Sequence, residues 1–201
     1  MRQVQILFWD VGGVLLTNAW DHQERKRAID QFHLQKDDFE ARHKQAVSDF
    51  ETGKITLDEY LQRTVFYQSR TFSRDDFRSY MLSQSKPKPE IVELARTLAG
   101  KCIMSTINNE SRELNEYRIR TFELKQIFDL FVSSCYVGLR KPDARIYRLA
   151  LDLVQKTPDE ACFIDDRPEN IEAARKVGMR TILMQDLPQL KKDLQSVGLG
   201  A

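Results

Sequence analysis

The chain has 201 residues, with 31 Lys+Arg against 30 Asp+Glu and a net charge of +1. This balance gives no electrostatic reason to expect binding to nucleic acid or to an anionic membrane. Hydrophobic residues make up 41% of the chain, which is enough for one domain with an elaboration or for two small domains. No stretch approaches the roughly 20 apolar residues of a membrane span, and no signal-peptide pattern is present. The three cysteines lie far apart without a CxxC pair, so we predict no zinc site or disulfide framework and a cytoplasmic location.

The first predicted element is a strand at about residues 3–9, and it leads into the most informative part of the chain. Its apolar residues end on Asp10, and Gly12 and Gly13 follow almost at once. In open parallel sheets, ligands bind at the carboxyl ends of the strands. We therefore expect Asp10 to lie on a turn with little side-chain bulk, at the edge of the sheet where ligands bind.

The next part of the chain has helical periodicity and no convincing strand. Capping boxes beginning at Thr56 and Ser73 predict the start of two of its helices. A block of four helices is too long for a loop, so we predict an inserted helical-bundle cap at residues 18–85. The basic run Arg25-Lys26-Arg27 is expected to be a solvated helix face.

Strands and helices alternate after Lys86-Pro87-Lys88-Pro89, where the prolines disfavour helix before them and permit a helix to start after them. This alternation predicts an α/β fold, a Rossmann-like parallel sheet with helices on both faces, formed by residues 1–17 and 86–201. The predicted strands are 101–105, 130–133, 161–165 and 180–184, and the predicted helices are 89–98, 109–120, 143–154, 168–177 and 186–196.

A second carboxylate pair follows a buried strand and repeats the pattern of the first. Asp165 and Asp166 come directly after the apolar run 161–164. Because the carboxyl ends of parallel strands meet at one edge, these residues and Asp10 are expected to share one acidic pocket. Such pockets commonly hold a hard cation such as Mg²⁺. Taken alone, the pair is also compatible with simple capping of a helix that starts at Pro168.

Four segments, in this order along the chain, resemble the haloacid dehalogenase superfamily, whose members are mostly phosphatases. They are FWDVGGVL at 8–15, CIMS at 102–105, GLRKPD at 138–143 and FIDDRPEN at 163–170. The helical insert after the first segment is similar to the cap of sugar-phosphate phosphatases and of epoxide-hydrolase N-terminal domains. The resemblance implies a Mg²⁺-dependent hydrolase that acts on a small phosphate monoester.

The resemblance also implies a role for each site residue. Asp10 is the implied nucleophile, which forms an aspartyl-phosphate that water later hydrolyses. Ser105 and Lys141 are the other implied catalytic residues, and they stabilise the charge of the transferring phosphoryl group. The implied phosphate-binding residues are Gly12, Gly13, Ser105, Thr106 and Lys141; the implied Mg²⁺ ligands are Asp10, the backbone carbonyl of Gly12, and Asp166; the implied supporting residues are Asp165 and Asn170.

Gly12 departs from the family, whose members usually carry a second acid two residues after the nucleophile. That acid protonates the leaving oxygen and later activates water, and such help is typically worth about 10²–10⁴ in rate. Three consequences are open. The substrate has a better leaving group, such as an anomeric sugar phosphate; a cap residue such as His22 or Asp21 substitutes; or the protein is a poor catalyst that binds a phosphorylated ligand.

The sequence therefore predicts a phosphatase for a small phosphate ester, with sugar phosphates among the candidates, acting as a monomer or homodimer. Gly12 motivates a first alternative, a non-catalytic protein that binds a phosphorylated ligand or has a regulatory role. The second alternative is a 2-haloacid dehalogenase, which also uses an aspartate nucleophile but needs no metal. The pair Asp165 and Asp166 argues against it, because without a cation the pair would repel a haloacid carboxylate.

Overall fold

The computed structural model describes residues 3–200 of the chain. Within that range the strands form one parallel sheet in the order β3-β2-β1-β4-β5. The strand bounds are β1 (Ile6–Trp9), β2 (Ile103–Asn108), β3 (Leu130–Ser133), β4 (Ala161–Asp165) and β5 (Arg180–Leu183). Because β1 is the middle strand, the residue that follows it, Asp10, lies at the centre of the carboxyl edge.

Helices account for most of the remaining described chain, and their order alternates with the strands after residue 88. The bounds are α1 (His22–Gln31), α2 (Lys36–Glu51), α3 (Leu57–Thr64), α4 (Arg74–Ser83), α5 (Pro89–Leu98), α6 (Arg112–Thr121), α7 (Ser134–Val137), α8 (Ala144–Val154), α9 (Pro168–Val177) and α10 (Leu187–Ser196). Two short 3₁₀ turns, Leu124–Gln126 and Pro158–Glu160, complete the set.

Alternate side chains of β1 pack on opposite faces of the sheet, as the strand period of two requires. Leu7 and Trp9 are fully buried in a cluster that includes apolar residues of α5 and α10. Ile6 and Phe8 are fully buried in a second cluster that includes apolar residues of α8 and α9. Helices therefore cover both faces of the sheet, and its carboxyl edge is left to the loops and to the segment inserted after β1.

The segment of residues 18–85, here called the helical segment, has a core of its own. Its buried cluster runs from Ala19 to Met81 and takes Leu114 from α6 as well. Trp20 lies near the centre, with edge-to-face ring contacts of 6.4 Å to Phe39 and 5.8 Å to Phe77. Such aromatic pairs stabilise a fold beyond the area they bury.

Both predicted capping boxes are present. The Thr56 hydroxyl accepts a hydrogen bond from the backbone N–H of Glu59, and the Glu59 carboxylate accepts one from the backbone N–H of Thr56. Ser73 and Asp76 make the same reciprocal pair at the start of α4. The polar ends of α3 and α4 are thereby satisfied locally, as the sequence predicts.

The main departure from the predicted elements concerns β2, which runs from Ile103 to Asn108 rather than over 101–105. Ile107 is apolar and fully buried, and pairing with β3 continues until Asn108 lies opposite Ser133. The strand therefore extends three residues further than predicted. Strand β1 begins at Ile6, later than the predicted start at residue 3. Among the described residues, no helix is both long and apolar enough to cross a membrane.

Candidate active site

Three carboxylates converge at the carboxyl edge of the sheet. Asp10 follows β1, and its backbone N–H donates a 2.8 Å hydrogen bond to the carbonyl of Ile164 in β4. Asp165 ends β4 and Asp166 is the next residue. One carboxylate oxygen from each aspartate lies within 4.8 Å of the others. Asp10 thus joins Asp165 and Asp166, which lie at least 155 positions further along the chain, in the single acidic group that the sequence predicts.

Lys141 is buried between two of these carboxylates. Its Nζ atom lies 2.8 Å from Asp10 Oδ1 and 2.6 Å from Asp165 Oδ2. Asn109 fixes the loop that carries the lysine, since its side chain accepts a 2.8 Å hydrogen bond from the Lys141 backbone N–H and donates a 2.8 Å bond to the Lys141 carbonyl. The position of the ammonium group is therefore set from both the side chain and the backbone.

Asp165 has partners for both of its oxygens. In addition to Lys141, it accepts a 2.8 Å bond from the backbone N–H of Arg167 and bonds of 3.0 and 3.1 Å from the side-chain amide of Asn170. The residue is fully buried, and buried charges are stable only when they are paired and hydrogen-bonded in this way. Its geometry suits it to hold Lys141 in place.

Asp166 differs from its neighbour, because its Oδ1 atom is buried and has no hydrogen-bond partner among the described residues. Gly13 leaves the room for this carboxylate: its φ is +78°, and a Cβ atom there would lie 2.1 Å from Asp166 Oδ2. A buried carboxylate oxygen without a partner is costly. Oxygen atoms from Asp10 and Asp166 around one small space are the donor set that Mg²⁺ prefers, so the residues fit a divalent cation.

Burial and mutual repulsion change the protonation of this group. Burial raises the pKa of Asp10 to about 7; Lys141 opposes the rise, and Asp165 adds to it. Burial also raises the pKa of Asp166, with Asp165 the next cause. Burial disfavours the charged form of Lys141, but the two adjacent carboxylates outweigh it and keep the lysine pKa raised. Three carboxyl groups therefore face one ammonium group, and further positive charge would stabilise their ionised forms.

Ser105 and Thr106 are not where the sequence predicts them. Both side chains are fully buried within β2, and Ser105 lies opposite Phe8, two residues before Asp10. The Ser105 hydroxyl makes a weak 3.5 Å contact to the carbonyl of Thr106. Because β2 is longer than predicted, the expectation that these hydroxyls lie at the end of the strand is wrong, and their contact with a phosphoryl group stays a prediction.

Gly13 also differs from its expected role in phosphate binding. Its backbone N–H donates a 2.8 Å hydrogen bond to the carbonyl of Leu16, so the turn itself uses this donor. Its carbonyl accepts a bond from the ammonium group of Lys88. What the position requires is the absence of a side chain next to Asp166, rather than a donor for a ligand.

A polar cavity of about 370 Å³ opens above Asp10 between the sheet edge and the helical segment. From the helical segment it is lined by Asn18, Trp20, Asp21, Arg25, His43, Val47, Phe50 and Glu51. From the rest of the chain it is lined by residues that include Asp10, Gly12, Asn109, Glu110, Arg118, Arg140, Lys141, Arg167 and Asn170. Every side that a bound molecule would meet therefore carries charged or hydrogen-bonding groups.

The cavity lining corrects two expectations about the helical segment. Arg25 is buried, not solvated, and its guanidinium bonds Glu40 at 3.1 Å and the carbonyl of Trp20 at 3.2 Å; Lys26 and Arg27 are exposed as predicted. His22 is exposed and does not line the cavity, whereas Asp21 does and forms a 2.7 Å ion pair with Arg167. Trp20 belongs to the buried cluster of the helical segment and also lines the cavity.

His43 and Glu51 both line the cavity, and burial shifts the pKa of each. Burial lowers the pKa of His43 to about 4, with Arg25 the next cause, and its Nδ1 atom lies 2.8 Å from the hydroxyl of Tyr60. Burial raises the pKa of Glu51 despite the ion pair with Arg140. The imidazole is therefore neutral near pH 7, and it faces bound molecules as a hydrogen-bonding group rather than as a cation.

Sequence reasoning missed Asn109, Glu110 and Arg118, which all line the cavity. Glu110 and Arg118 form a buried ion pair of 2.7 Å. The signal for the first two is visible in the sequence, since a polar run directly follows the apolar residue Ile107. Arg118 lies within a helix, and no local pattern points to it.

Comparisons with known proteins agree with this geometry. The family description "haloacid dehalogenase-like hydrolase" matches residues 4–178. The chain is 28% identical over 211 residues to bifunctional epoxide hydrolase 2 of Sus scrofa, covering 94% of this chain and 38% of that protein. It is 29% identical over 170 residues to flavin mononucleotide hydrolase 1 of Arabidopsis thaliana, covering 80% of this chain and 65% of that protein. The chain thus spans less than two thirds of either relative.

Among solved structures, the fold is similar to that of a haloacid dehalogenase family enzyme from Bacteroides thetaiotaomicron in complex with magnesium and inorganic phosphate. The TM-score is 0.76 at 21% sequence identity, and the match covers 93% of this chain and 98% of the other. At that level of identity the comparison shows a shared fold.

Proposed function

Because the chain belongs to the haloacid dehalogenase-like hydrolase family, we propose that it is a Mg²⁺-dependent phosphatase that hydrolyses a small phosphate monoester through an aspartyl-phosphate on Asp10. One observation carries the proposal. Asp10 lies at the floor of a polar cavity, 2.8 Å from a buried lysine and within a carboxylate cluster that includes a buried oxygen without a partner. The Arabidopsis relative, by its name, hydrolyses flavin mononucleotide, which is itself a phosphate monoester.

The proposed Mg²⁺ ligands are Asp10, the backbone carbonyl of Gly12, and Asp166. Magnesium usually keeps several waters and is held by one or two carboxylates together with substrate phosphate, so this small set is sufficient. The bound ion would supply positive charge that lets a phosphate dianion approach the carboxylates. The similar Bacteroides enzyme binds magnesium and phosphate together, which supports this pairing here.

The protein's own residues orient the nucleophile. Asp10 Oδ1 accepts hydrogen bonds from Lys141 and from the backbone N–H of Val11, at 2.8 and 2.7 Å. These bonds occupy one oxygen and leave Oδ2 as the atom that attacks phosphorus. Lys141 would also neutralise charge on the phosphoryl group, while Asp165 and Asn170 hold the lysine in place. Ser105 and Thr106 are given no role in this mechanism, because neither lines the cavity.

We assign residues 1–17 and 86–201 to the catalytic core and the helical segment to a cap that selects the substrate. The separate buried cluster of the helical segment supports this division, as does its contribution of eight residues to the cavity lining. Such caps also exclude water from the reacting groups when they close. The free, mostly buried cysteines are compatible with a cytoplasmic protein.

The cavity favours a compact, polar substrate. Its volume of about 370 Å³ lies near the lower end of the range for small-molecule sites. Arginine, glutamate, aspartate and histidine side chains line it, and these groups suit a polyhydroxylated molecule such as a sugar phosphate. A 2-haloacid is a poorer fit, because its carboxylate would have to approach three carboxylates that share one lysine.

The test uses a panel of metabolite phosphates and para-nitrophenyl phosphate, with Mg²⁺ or with a chelator, on the wild type and on Asp10→Asn. The expected result is phosphate release that requires Mg²⁺ and falls by at least about 10³-fold in the variant, as for loss of other enzymatic nucleophiles. Equal activity in both proteins would remove the mechanism. Tight, phosphate-dependent binding without turnover would instead favour a non-catalytic binding protein.

A further inference from the structure

Gly12 leaves the proposed reaction without the acid that usually lies two residues after the nucleophile. Gly12 retains its carbonyl, but it has no group that can carry a proton. Breaking the bond to an ordinary alcohol requires a proton on the departing oxygen, and general acid catalysis typically contributes about 10²–10⁴ in rate. Another residue near position 12 must therefore supply the proton to the departing oxygen.

The structure identifies what surrounds that space. A Cβ atom added to Gly12 would lie 3.5 Å from Arg118 Nη1 and 3.5 Å from Asn18 Oδ1, which is ordinary van der Waals distance. Arg118 Nη1 in turn donates a 2.7 Å hydrogen bond to Glu110 Oε2. A carboxylate side chain at position 12 would therefore contact the Arg118 guanidinium, which already donates a hydrogen bond to Glu110.

Glu110 is held firmly in this place. Its Oε1 accepts a 3.1 Å bond from the backbone N–H of Ser111, and its own backbone N–H donates to the Ser134 hydroxyl at 2.9 Å. Arg118 is fixed as well, because its other terminal nitrogen donates to the carbonyl of Thr17 in the segment that follows β1. Glu110 is only 8% exposed, and it lines the cavity that contains Asp10.

We propose that Glu110 is the proton donor and acceptor of the reaction, supplying from the end of β2 the carboxyl group that position 12 lacks. This inference rests on the proposed phosphatase function. As the bond from Asp10 Oδ2 to phosphorus forms, the bond from phosphorus to the ester oxygen breaks, and the Glu110 carboxyl gives its proton to that oxygen so that a neutral alcohol leaves. Water then attacks the aspartyl-phosphate, Glu110 takes a proton from it, and inorganic phosphate leaves Asp10.

The acidity of Glu110 suits both steps. The pKa of Glu110 is raised to about 7. Burial is the main cause of the rise, the charge of Arg118 opposes it, and the carboxylate of Glu51 adds to it. The Cys135 thiol also faces this carboxyl, and its own pKa is raised by burial and by Glu110. A carboxyl group near neutrality can donate a proton in the first step and accept one in the second. The neighbouring Arg118 stabilises the carboxylate between the two steps.

Leaving groups of different basicity separate this role from a structural one. Glycerol phosphate must expel an alkoxide, whereas para-nitrophenyl phosphate expels a stable phenolate that needs no proton. In Glu110→Gln we expect kcat/KM to fall by about 10²-fold or more with glycerol phosphate and to change little with para-nitrophenyl phosphate. Glu116→Gln, which alters an exposed carboxyl of α6, is the matched control and should change neither value.

A double variant tests the same role by gain of function. The double variant Gly12→Asp with Glu110→Gln returns a carboxylate to Arg118 from the other side, and it should restore hydrolysis of glycerol phosphate relative to para-nitrophenyl phosphate. Equal losses with both substrates in Glu110→Gln, or no loss with either, would overturn the assignment, as would a double variant with an unrestored ratio. A wild type that hydrolyses no ester of the metabolite panel and neither of these two would overturn the phosphatase proposal itself, and this inference with it.

Discussion

The sheet edge and the helical segment use buried charge in opposite ways. At the sheet edge, three carboxylates crowd one lysine, and one carboxylate oxygen is left without a partner. In the helical segment, one buried polar network is paired internally: Trp20 Nε1 donates to the Tyr60 hydroxyl at 2.9 Å, and that hydroxyl lies 2.8 Å from His43 Nδ1. The carboxylate cluster therefore has an oxygen that a ligand could satisfy, whereas the Trp20–Tyr60–His43 network is held by hydrogen bonds within the protein.

This difference indicates that the carboxylate cluster is the reactive part of the site and that the paired network shapes the cavity that recognises the substrate. An uncompensated cluster of like charges stores unfavourable free energy that a cation and a phosphate can relieve, and such sites are typical of catalysis. A satisfied network of aromatic and hydrogen-bonding groups instead fixes the shape of a cavity wall.

Lys141→Met should have the largest effect on both activity and stability. Removing the ammonium group leaves Asp10 and Asp165 buried without their shared partner, and breaking a buried pair in this way typically costs about 3–5 kcal/mol. Activity should fall by at least about 10²-fold, as when a single charge-stabilising donor is removed. Urea unfolding and phosphate release measure the two effects. Adding Asp165→Asn should return part of the stability but none of the activity; unchanged stability in the single variant would refute the contrast.

Mg²⁺ should stabilise the wild type and lose most of that effect in Asp166→Asn. At a concentration of one hundred times Kd, a ligand that binds only the folded state adds about 2.7 kcal/mol to the free energy of unfolding. In the metal-free state the variant should be as stable as the wild type or more so, because a repelling buried charge has been removed. Thermal unfolding with and without Mg²⁺ measures this. Glu172→Gln, at an exposed carboxyl of α9, is the control, and equal stabilisation of all three proteins would place the ion elsewhere.

Glu110 and His43 should give the stability of the metal-free protein pH dependences of opposite sign. Glu110 keeps its proton up to about pH 7 when folded but releases it near 4.5 when unfolded, so it makes stability fall as pH rises through that window. His43 stays neutral down to about pH 4 when folded but binds a proton below 6.5 when unfolded, so it makes stability fall as pH decreases. Each effect is on the order of 1 kcal/mol per unit of pKa difference.

Unfolding free energies at a series of pH values, for the wild type, Glu110→Gln and His43→Gln, resolve the two contributions. The first variant should flatten the decline toward neutral pH, and the second should flatten the decline toward acid. Parallel curves for the two variants would mean that the sheet edge and the helical segment do not differ in this respect.

Thr56→Ala should have the smallest effect. The substitution removes the capping box of α3, and loss of such a cap typically costs about 1 kcal/mol. The free energy of unfolding should decrease by that amount while kcat/KM stays unchanged, because Thr56 does not line the cavity. Ser73→Ala at the start of α4 is the matched comparison and should behave alike. A large loss of activity in either variant would show that the helical segment does more than shape the cavity.

The sequence predicts the parts of the molecule that local patterns encode. Alternation of strands and helices gave the parallel sheet, and Asp10 and Asp166 were correctly expected to meet because each follows a buried strand. The end of β2 was predicted three residues too early, since Ser105 and Thr106 are polar residues inside a strand. Their burial depends on pairing with β1 and β3, which the local pattern does not show.

The residues that sequence reasoning missed are defined by distant contacts. Arg25 is predicted to be solvated because it belongs to a basic run. In the structure its guanidinium donates hydrogen bonds to Glu40 and to the carbonyl of Trp20, and these bonds hold it in the cavity wall. Arg118 reaches position 12 only because α6 packs beside the segment that follows β1. In both cases the deciding partner lies on another element, so the periodicity of the helix cannot reveal it.

The most direct test of the central claim is to look for the covalent intermediate on Asp10. A substrate labelled in its phosphoryl group is mixed with the enzyme and Mg²⁺, the reaction is stopped with acid within one turnover, and the labelled peptide is identified. The account predicts label on the peptide that contains Asp10 and none in Asp10→Asn or without Mg²⁺. Label on a different residue, or multiple turnovers by Asp10→Asn, would contradict it.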